Sequence, residues 1–409
     1  IIHLMLIVYN LIYFLFLPLL ILRDFFILKS PKFKTILMKL GFYLGRSNEK
    51  TIWLHGVSLG EIKILTPLAK RLSQQGKQVV VSSTTNTGRD ELEKVFKNSQ
   101  IKTIIFPYDV PMIYKKLCDR LNIDKVILFE SEFWPNLVFS IPESTKLISL
   151  NTSISDKSFQ RMSVFKAFSE QVFKKFNRFL VQSVREKERL AAFGVSDTDI
   201  IGNIKVNSEN YVIREEVKEK IIAKLNSNKY TVVLGSSHDG EEDYVINALH
   251  DLDLVLVIAP RHPERINGVK KLLKDKDIDF SLFSEAEHGL KEKLIIYDEI
   301  GSLFELYAAA DLAVVAGSIV FDKGHNFIEP IYAGTPSITG IKLKNYSELK
   351  KLLCDKGIIK TFSSQAQLRD LVNAYTNALT RQEYFQNQQT ALTGLSGSYD
   401  QVVDILNES

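Results

Sequence analysis

The sequence predicts an α/β protein of two doubly wound domains, each a parallel sheet with helices on both faces, joined to an N-terminal membrane helix. Three observations predict it. From Thr51 onward, short β-rich runs alternate with longer helical patterns, a βαβ rhythm that demands parallel strands. That rhythm breaks once, at a charged helical stretch around Arg214 to Lys229, and then begins again. Before it all, Ile1 to Leu22 contains no Asp, Glu, Lys or Arg and is about long enough to cross a hydrocarbon core as a helix. With 409 residues, 45% hydrophobic and 24% charged, the chain has ample apolar material for two cores and is not a disordered one.

Residues 1–22 are expected to form a single-pass anchor. Arg23, Lys29, Lys32, Lys34, Lys39, Arg46 and Lys50 follow it, against only Asp24 and Glu49. Such a basic excess is retained on the cytoplasmic side, so the body of the protein is expected there. A cleaved signal peptide is the rival reading, but no basic n-region and no small-residue cleavage site precede the basic stretch. His3, Asn10 and Pro18 weaken the span, and a tilted or partly interfacial helix is the alternative. Phe25, Phe26, Ile27 and Leu28, followed by the lysines, suit an anionic membrane surface. The overall charge of +4 is too mild for a general nucleic-acid binder, and no nucleic-acid partner is expected. Cys118 and Cys354 suggest neither a disulfide framework nor a thiolate metal site.

The first domain is expected over 23–205, with strands in TIWLHGVS, QVVVSST, TIIFPY, KVILFE, KLISLN and RFLVQS. The second is expected over 206–409, with strands in YTVVLGSS, LVLVIAP, LIIYD, LAVVAGS and PSITG, its last helix free to pack back on the first domain. In open α/β sheets ligands bind beyond the carboxyl ends of the strands, and a cleft between the two domains is the expected site.

The unusual residues sit at those strand ends. His55-Gly56-Val57-Ser58-Leu59-Gly60-Glu61 leaves the first strand and enters the first helix. Glu61 either compensates the helix dipole or acts as a general base toward an acceptor hydroxyl. Glu130-Ser131-Glu132-Phe133-Trp134-Pro135-Asn136 ends a buried strand, where two carboxylates are costly unless they face a polar ligand or each other. The bland alternative has Glu132 capping a helix that begins at Pro135. In the second half, the turn containing Ser236 follows a strand and opens a helix, a geometry that cradles phosphate. Arg261 and His262, with Arg265, suit a phosphate or carboxylate, or else a solvated loop. Gly317, Ser318, Gly324, Asn326 and Glu329 surround a glycine-rich turn suited to a nucleotide's phosphate and ribose. Asp251-Leu252-Asp253 and Asp277-Ile278-Asp279 fit the bare metal-binding pattern but precede apolar or strand-like runs and read as turns. No histidine pair has zinc-like spacing, and neither metal nor cofactor is expected.

Taken in order, HGVSLGE (55–61), STTNTGR (83–89), FPYDVP (106–111), ESEFWPN (130–136), GNIKV (202–206), GSSHDGEE (235–242), PRHPER (260–265), YAAADLAVVAGS (307–318) and GHNFIEPIYAGTP (324–336) resemble the 3-deoxy-D-manno-octulosonic acid (Kdo) transferases of Gram-negative bacteria. The resemblance implies a GT-B fold, CMP-Kdo as donor, inversion at the anomeric carbon, and metal-free transfer to a hydroxyl of a tetraacylated lipid A precursor (lipid IVA) at the inner membrane. It makes Glu61 the general base and places Glu130 and Glu132 in the catalytic acidic motif. Arg261, Ser318, Asn326 and Glu329 match positions expected to hold CMP, with His262, Ser236, Gly317 and Gly324 beside them; Ser58 and Lys205 are expected on the acceptor side. One departure stands out: the family shows Asn-Ala-Arg where this chain has Asn151-Thr152-Ser153, leaving Lys157 or Arg161 to take over the arginine's contacts. Two other readings remain, a nucleotide-sugar 2-epimerase of similar rhythm and a catalytically silent membrane-bound scaffold for anionic ligands.

Overall fold

The computed structural model describes residues 2–27, 32–42, 46–225, 228–285, 292–322, 325–342 and 348–408. The chain divides into two compact units, Ile1–Asn210 with Ser396–Ser409, and Tyr211–Leu395.

The first unit is built on seven described strands: β1 (Thr51–Gly56), β2 (Gln78–Ser83), β3 (Lys102–Ile105), β4 (Ile123–Phe129), β5 (Lys146–Thr152), β6 (Arg178–Val181) and β7 (Thr198–Ile200). Their order across the sheet is β3-β2-β1-β4-β5-β6-β7, with every pair parallel. Strands this apolar are stable only with both faces covered. One face packs Leu54, Val81, Ile127 and Ile148 against Ile62, Leu65 and Leu68 of the helix Leu59–Gln74, and the other packs Trp53, Val80, Val126 and Phe179 against Tyr114, Leu117 and Phe173. The order reverses between β1 and β4, so the loops leaving those two strands part there and open the crevice typical of such sheets.

The last helix, Tyr399–Glu408, belongs to this unit: Tyr399 is fully buried, and its hydroxyl lies 2.7 Å from the Ile64 carbonyl and 2.6 Å from Asn210 Oδ1. The N-terminal helix runs from Ile2 to Ile27, five residues past the expected anchor, and Arg23 and Asp24 lie inside it. Of the expected headgroup patch, Leu28 and Lys29 lie outside the described residues.

The second unit repeats the plan with β8 (Thr231–Ser237), β9 (Val255–Pro260), β10 (Ser281–Leu282), β11 (Leu294–Ile296), β12 (Leu312–Val315), β13 (Ser337–Gly340) and β14 (Lys360–Phe362), in the parallel order β10-β11-β9-β8-β12-β13-β14. Here the switch falls between β8 and β12. Asp251 is held by Arg369 and Asp253 by Lys229, both in turns, and Asp277 closes a helix with φ of 54°. Among the described residues, no group of three or more His, Cys, Asp or Glu side chains is placed to hold a metal ion.

Candidate functional site

In the first unit the switch point gathers the acidic residues. β1 must turn sharply into the helix Leu59–Gln74, and a Cβ on Gly56 would press to 3.0 Å from Leu65 and 3.1 Å from Glu61, so glycine suits the turn. Ser58 caps the helix: its Oγ accepts the Glu61 N–H, while Glu61 Oε2 accepts the Val57 N–H at 2.7 Å and Oε1 accepts the Ser58 hydroxyl at 2.8 Å. That reciprocal bonding is a variant of the capping box, in which the carboxylate takes the N–H one residue before the cap. It fixes the carboxylate at the lip of the sheet, so the capping role and a role in chemistry do not exclude each other.

β4 delivers the second group. Glu130 leaves the strand with φ of 59°, an unfavourable conformation for a residue with a Cβ, and Asn151 at the end of β5 does the same at 58°. Two local strains at adjacent strand ends are a mark of functional loops. Glu130 Oε1 takes Lys205 Nζ at 2.6 Å, and the ammonium lies 5.7 Å from the centre of the Phe129 ring. Glu132 Oε2 accepts the Trp134 indole N–H at 2.7 Å. Burial pushes the Glu132 carboxyl up to about 7; the Trp134 bond opposes this, and the charges of Glu61 and Glu130 add to it. The alternative, Glu132 as a helix cap, is not what forms: the first-turn N–H groups of the helix Pro135–Ser140, those of Asn136 and Leu137, go to the Asp109 carboxylate. His55, fully buried at the end of β1 and stacked 3.7 Å from Phe106, is pushed down to about 3 by burial and stays neutral.

At the departure from the family pattern, Asn151 Oδ1 accepts the Ile204 N–H at 3.0 Å and its Nδ2 donates to Asn203. Ser131 Oγ donates to the Ser153 carbonyl. Close by, Arg189 bonds the Ile154 carbonyl and shares Asp156 with Arg185, while Arg161 donates to Ser158 Oγ at 3.4 Å.

In the second unit the loops after β8 and β12 converge on one buried carboxylate. Glu241 is fully buried and accepts N–H bonds from Gly317 (2.9 and 3.0 Å), Ile319 (3.0 Å), Val320 (3.4 Å) and His238 (3.1 Å). These amides, read from the sequence as a phosphate cradle, already hold an internal anion. Ser318 is likewise engaged: buried, it shares a 2.6 Å bond with Thr339 and accepts the Gly340 N–H at 2.8 Å. His238 and His325 meet Nε2 to Nε2 at 2.7 Å with rings stacked, and His325 covers Gly317, where φ is +85° and a Cβ would lie 2.5 Å from the imidazole. Ser236 is buried with φ of 57°.

Arg261 and His262 lie exposed at the end of β9, the His262 ring 6.0 Å from that of His238. Arg265, by contrast, is tied to Asp239 at 2.8 Å and Glu242 at 3.3 Å. Asn326 Nδ2 donates to Glu329 Oε1 at 3.2 Å and its Oδ1 accepts the Ile328 N–H. The helix here begins at Ile328 and ends at Tyr332, and Asn326 spends its side chain on the turn before it. Beside it Tyr211 stacks on Tyr332 at 4.5 Å. Gly324 lies outside the described residues.

Each unit thus presents the expected residues at one sheet edge: Ser58, Glu61, Glu130, Glu132 and Lys205 on the first, Ser236, Arg261, His262, Gly317, Ser318, Asn326 and Glu329 on the second. Sequence reasoning missed Glu241, which reads locally as one of three acidic residues in a helix's first turn, and the pairing of His238 with His325, which no local pattern reveals.

The sequence profile of 3-deoxy-D-manno-octulosonic-acid transferase (kdotransferase) matches residues 34–208. A 3-deoxy-D-manno-octulosonic acid transferase of Chlamydophila psittaci is 31% identical over 75% of this chain and 72% of its own length. Another, of Haemophilus influenzae, is 27% identical over 92% of both. A bifunctional glycosyltransferase/methyltransferase of Fusobacterium nucleatum is 29% identical over 74% of the chain, which spans 49% of that longer protein. Among solved structures, the UDP-GlcNAc 2-epimerase of Neisseria meningitidis superposes with a TM-score of 0.60 over 88% of this chain and all of its own, at 13% identity, a likeness of fold alone. The protein is a glycosyltransferase of GT-B fold. It belongs to the Kdo transferase family.

Proposed function

We propose that this chain transfers Kdo from CMP-Kdo to a hydroxyl of a tetraacylated lipid A precursor, inverting the anomeric carbon without a metal ion, from the cytoplasmic face of a bacterial inner membrane. The observation that carries the reading is the carboxylate cluster at the β1/β4 switch point. Glu61, oriented by Val57 and Ser58, accepts the proton of the acceptor hydroxyl as its oxygen attacks the anomeric carbon. The bond from that carbon to the phosphate oxygen breaks, and CMP departs with the electron pair. Glu132, whose carboxyl is pushed up to about 7 by burial first and then by the charges of Glu61 and Glu130, ionises above that range and adds its charge to the cluster. Lys205, bonded to Glu130, keeps one of the three carboxylates neutralised.

On the second unit the exposed Arg261 guanidinium offers the charge that stabilises departing CMP. The Asn326–Glu329 pair offers an amide and a carboxylate to ribose hydroxyls. The apolar helix Ile2–Ile27 supports membrane attachment, and the basic residues after it suit the anionic cytoplasmic leaflet.

The test is Glu61→Gln in the full-length protein. Turnover of CMP-Kdo should fall by about 10²–10⁴-fold, the usual share of general acid–base catalysis, with CMP-Kdo affinity unchanged. Wild-type turnover in that variant removes Glu61 from the mechanism.

A further inference from the structure

The helix Ile2–Ile27 is long and apolar enough over Leu4–Phe26 to cross a membrane. Its surroundings point elsewhere. Leu6, Asn10, Tyr13, Leu17, Leu20 and Asp24 recur every three or four residues, the period of one helix face, and all are partly or fully withdrawn from solvent. At about 1.5 Å per residue that stripe is about 27 Å long.

The polar groups near it are bonded to the body of the first unit along its length. The Tyr9 hydroxyl donates to Asp109 Oδ2 at 2.7 Å, and Tyr13 Oη accepts the Asp109 N–H at 2.9 Å. Asn10 Oδ1 accepts Asn136 Nδ2 at 2.7 Å. Farther on, Asp24 Oδ2 takes Lys39 Nζ at 2.6 Å and the Tyr108 hydroxyl at 2.9 Å. The other face carries Leu4, Leu11, Leu15, Leu22 and Phe26, exposed by 53–73%.

A helix crossing a bilayer would occupy about 30 Å of hydrocarbon. Docked as it is, it would drag buried Asp109, Asn136 and the Lys39–Asp24 pair into that layer beside it, where ionisable groups are costly. We propose that the helix stays docked and lies along the membrane, its outer face inserted into a single leaflet of anionic phospholipid at the headgroup–acyl boundary, rather than crossing it.

Two further features fit that occupant. Exposed Arg23 and Lys34 accompany exposed Phe25, Phe26 and Phe33, and Lys116 Nζ lies 5.0 Å from the ring of exposed Phe42; this mixture of basic and aromatic side chains suits an anionic interface. In addition, Asn136 closes the segment that carries Glu130 and Glu132, so the helix bonds directly to the acidic loop. An acceptor whose acyl chains share the leaflet would have its head group delivered to that loop.

The test places single cysteines at Leu4, Leu11, Leu15 and Leu22 in full-length protein with Cys118→Ala and Cys354→Ala, labels them with bimane, and measures quenching by shallow and deep nitroxide lipids. The vesicles are phosphatidylethanolamine with phosphatidylglycerol. A helix lying along the surface gives one quenching ratio, shallow, at all four positions. A profile with Leu11 and Leu15 deep and Leu4 and Leu22 shallow overturns the proposal. Independently, Asn10→Cys with Asn136→Cys should be joined in membranes by a short bis-methanethiosulfonate cross-linker, and absence of the cross-link there contradicts the docking on which the proposal stands. Neither measurement uses a sugar nucleotide, so failure here and failure of the proposed reaction are separable.

Discussion

Glu132→Gln is the most informative single change, because stability and activity should move in opposite directions. The wild-type carboxyl titrates near 7 in the folded chain against an ordinary 4.5, with burial as the first cause. A raised carboxyl means that the folded state holds its proton more tightly than the unfolded state does. The advantage is complete below about pH 4.5 and is lost as pH rises to about 7, beyond which the folded chain carries a poorly solvated charge. At about 1.36 kcal/mol per pH unit, the cost above pH 7 approaches about 3 kcal/mol as an upper bound. Glutamine keeps the shape, still accepts the Trp134 N–H and never ionises. The variant should therefore match the wild type at pH 4.5 and melt higher at pH 8, by up to about 6–12 °C for a domain of this size. Differential scanning fluorimetry of both proteins in detergent across that range is the assay. In the same variant, the rise of kcat through pH 7 expected for wild type should vanish. A melting difference that does not depend on pH, or a wild type that is the more stable at pH 8, refutes the account of Glu132.

Arg261→Ala should raise KM for CMP-Kdo by about 10–100-fold, the value of a charge-assisted hydrogen bond, with an unchanged melting temperature because the side chain is exposed; an unchanged KM removes Arg261 from the donor site. Glu241→Gln turns an amide N–H toward main-chain N–H groups and should destabilise the second unit by about 1–3 kcal/mol while weakening CMP binding measured by calorimetry. Wild-type melting and affinity would show that the Glu241 hub does not organise the nucleotide loops. Lys205→Met should lower kcat by about tenfold, the weight of one charged contact, with donor KM unchanged; a change in donor KM alone would move Lys205 away from the acidic cluster's work.

Features carried by local patterns were legible in advance. The apolar runs of β1, β4, β8 and β12 announce buried parallel strands, and the topology rule then places Glu61 and Glu130 at the switch point. Short edge strands escaped notice: β7, β10 and β14 span two or three residues, too few for any period to register. Long-range meetings escaped as well. Glu241 joins amides more than seventy positions away, and residue spacing carries no trace of such a bond. Asn10 read as a defect in a membrane span, whereas it contacts the body together with Tyr9 and Tyr13. For Glu61, spacing left two readings open, and the capping geometry satisfies the plainer one while leaving the carboxylate poised for the other.

The role proposed for the carboxylates at the β1/β4 edge is glycosyl transfer to a lipid. Purified full-length protein, incubated with CMP-Kdo and tetraacyl lipid A precursor and followed by mass spectrometry of the lipid fraction, tests it directly. The account predicts precursor heavier by one or more Kdo residues, CMP released in equal number, and neither product with Glu61→Gln. Lipid of unchanged mass from active, folded protein would contradict it.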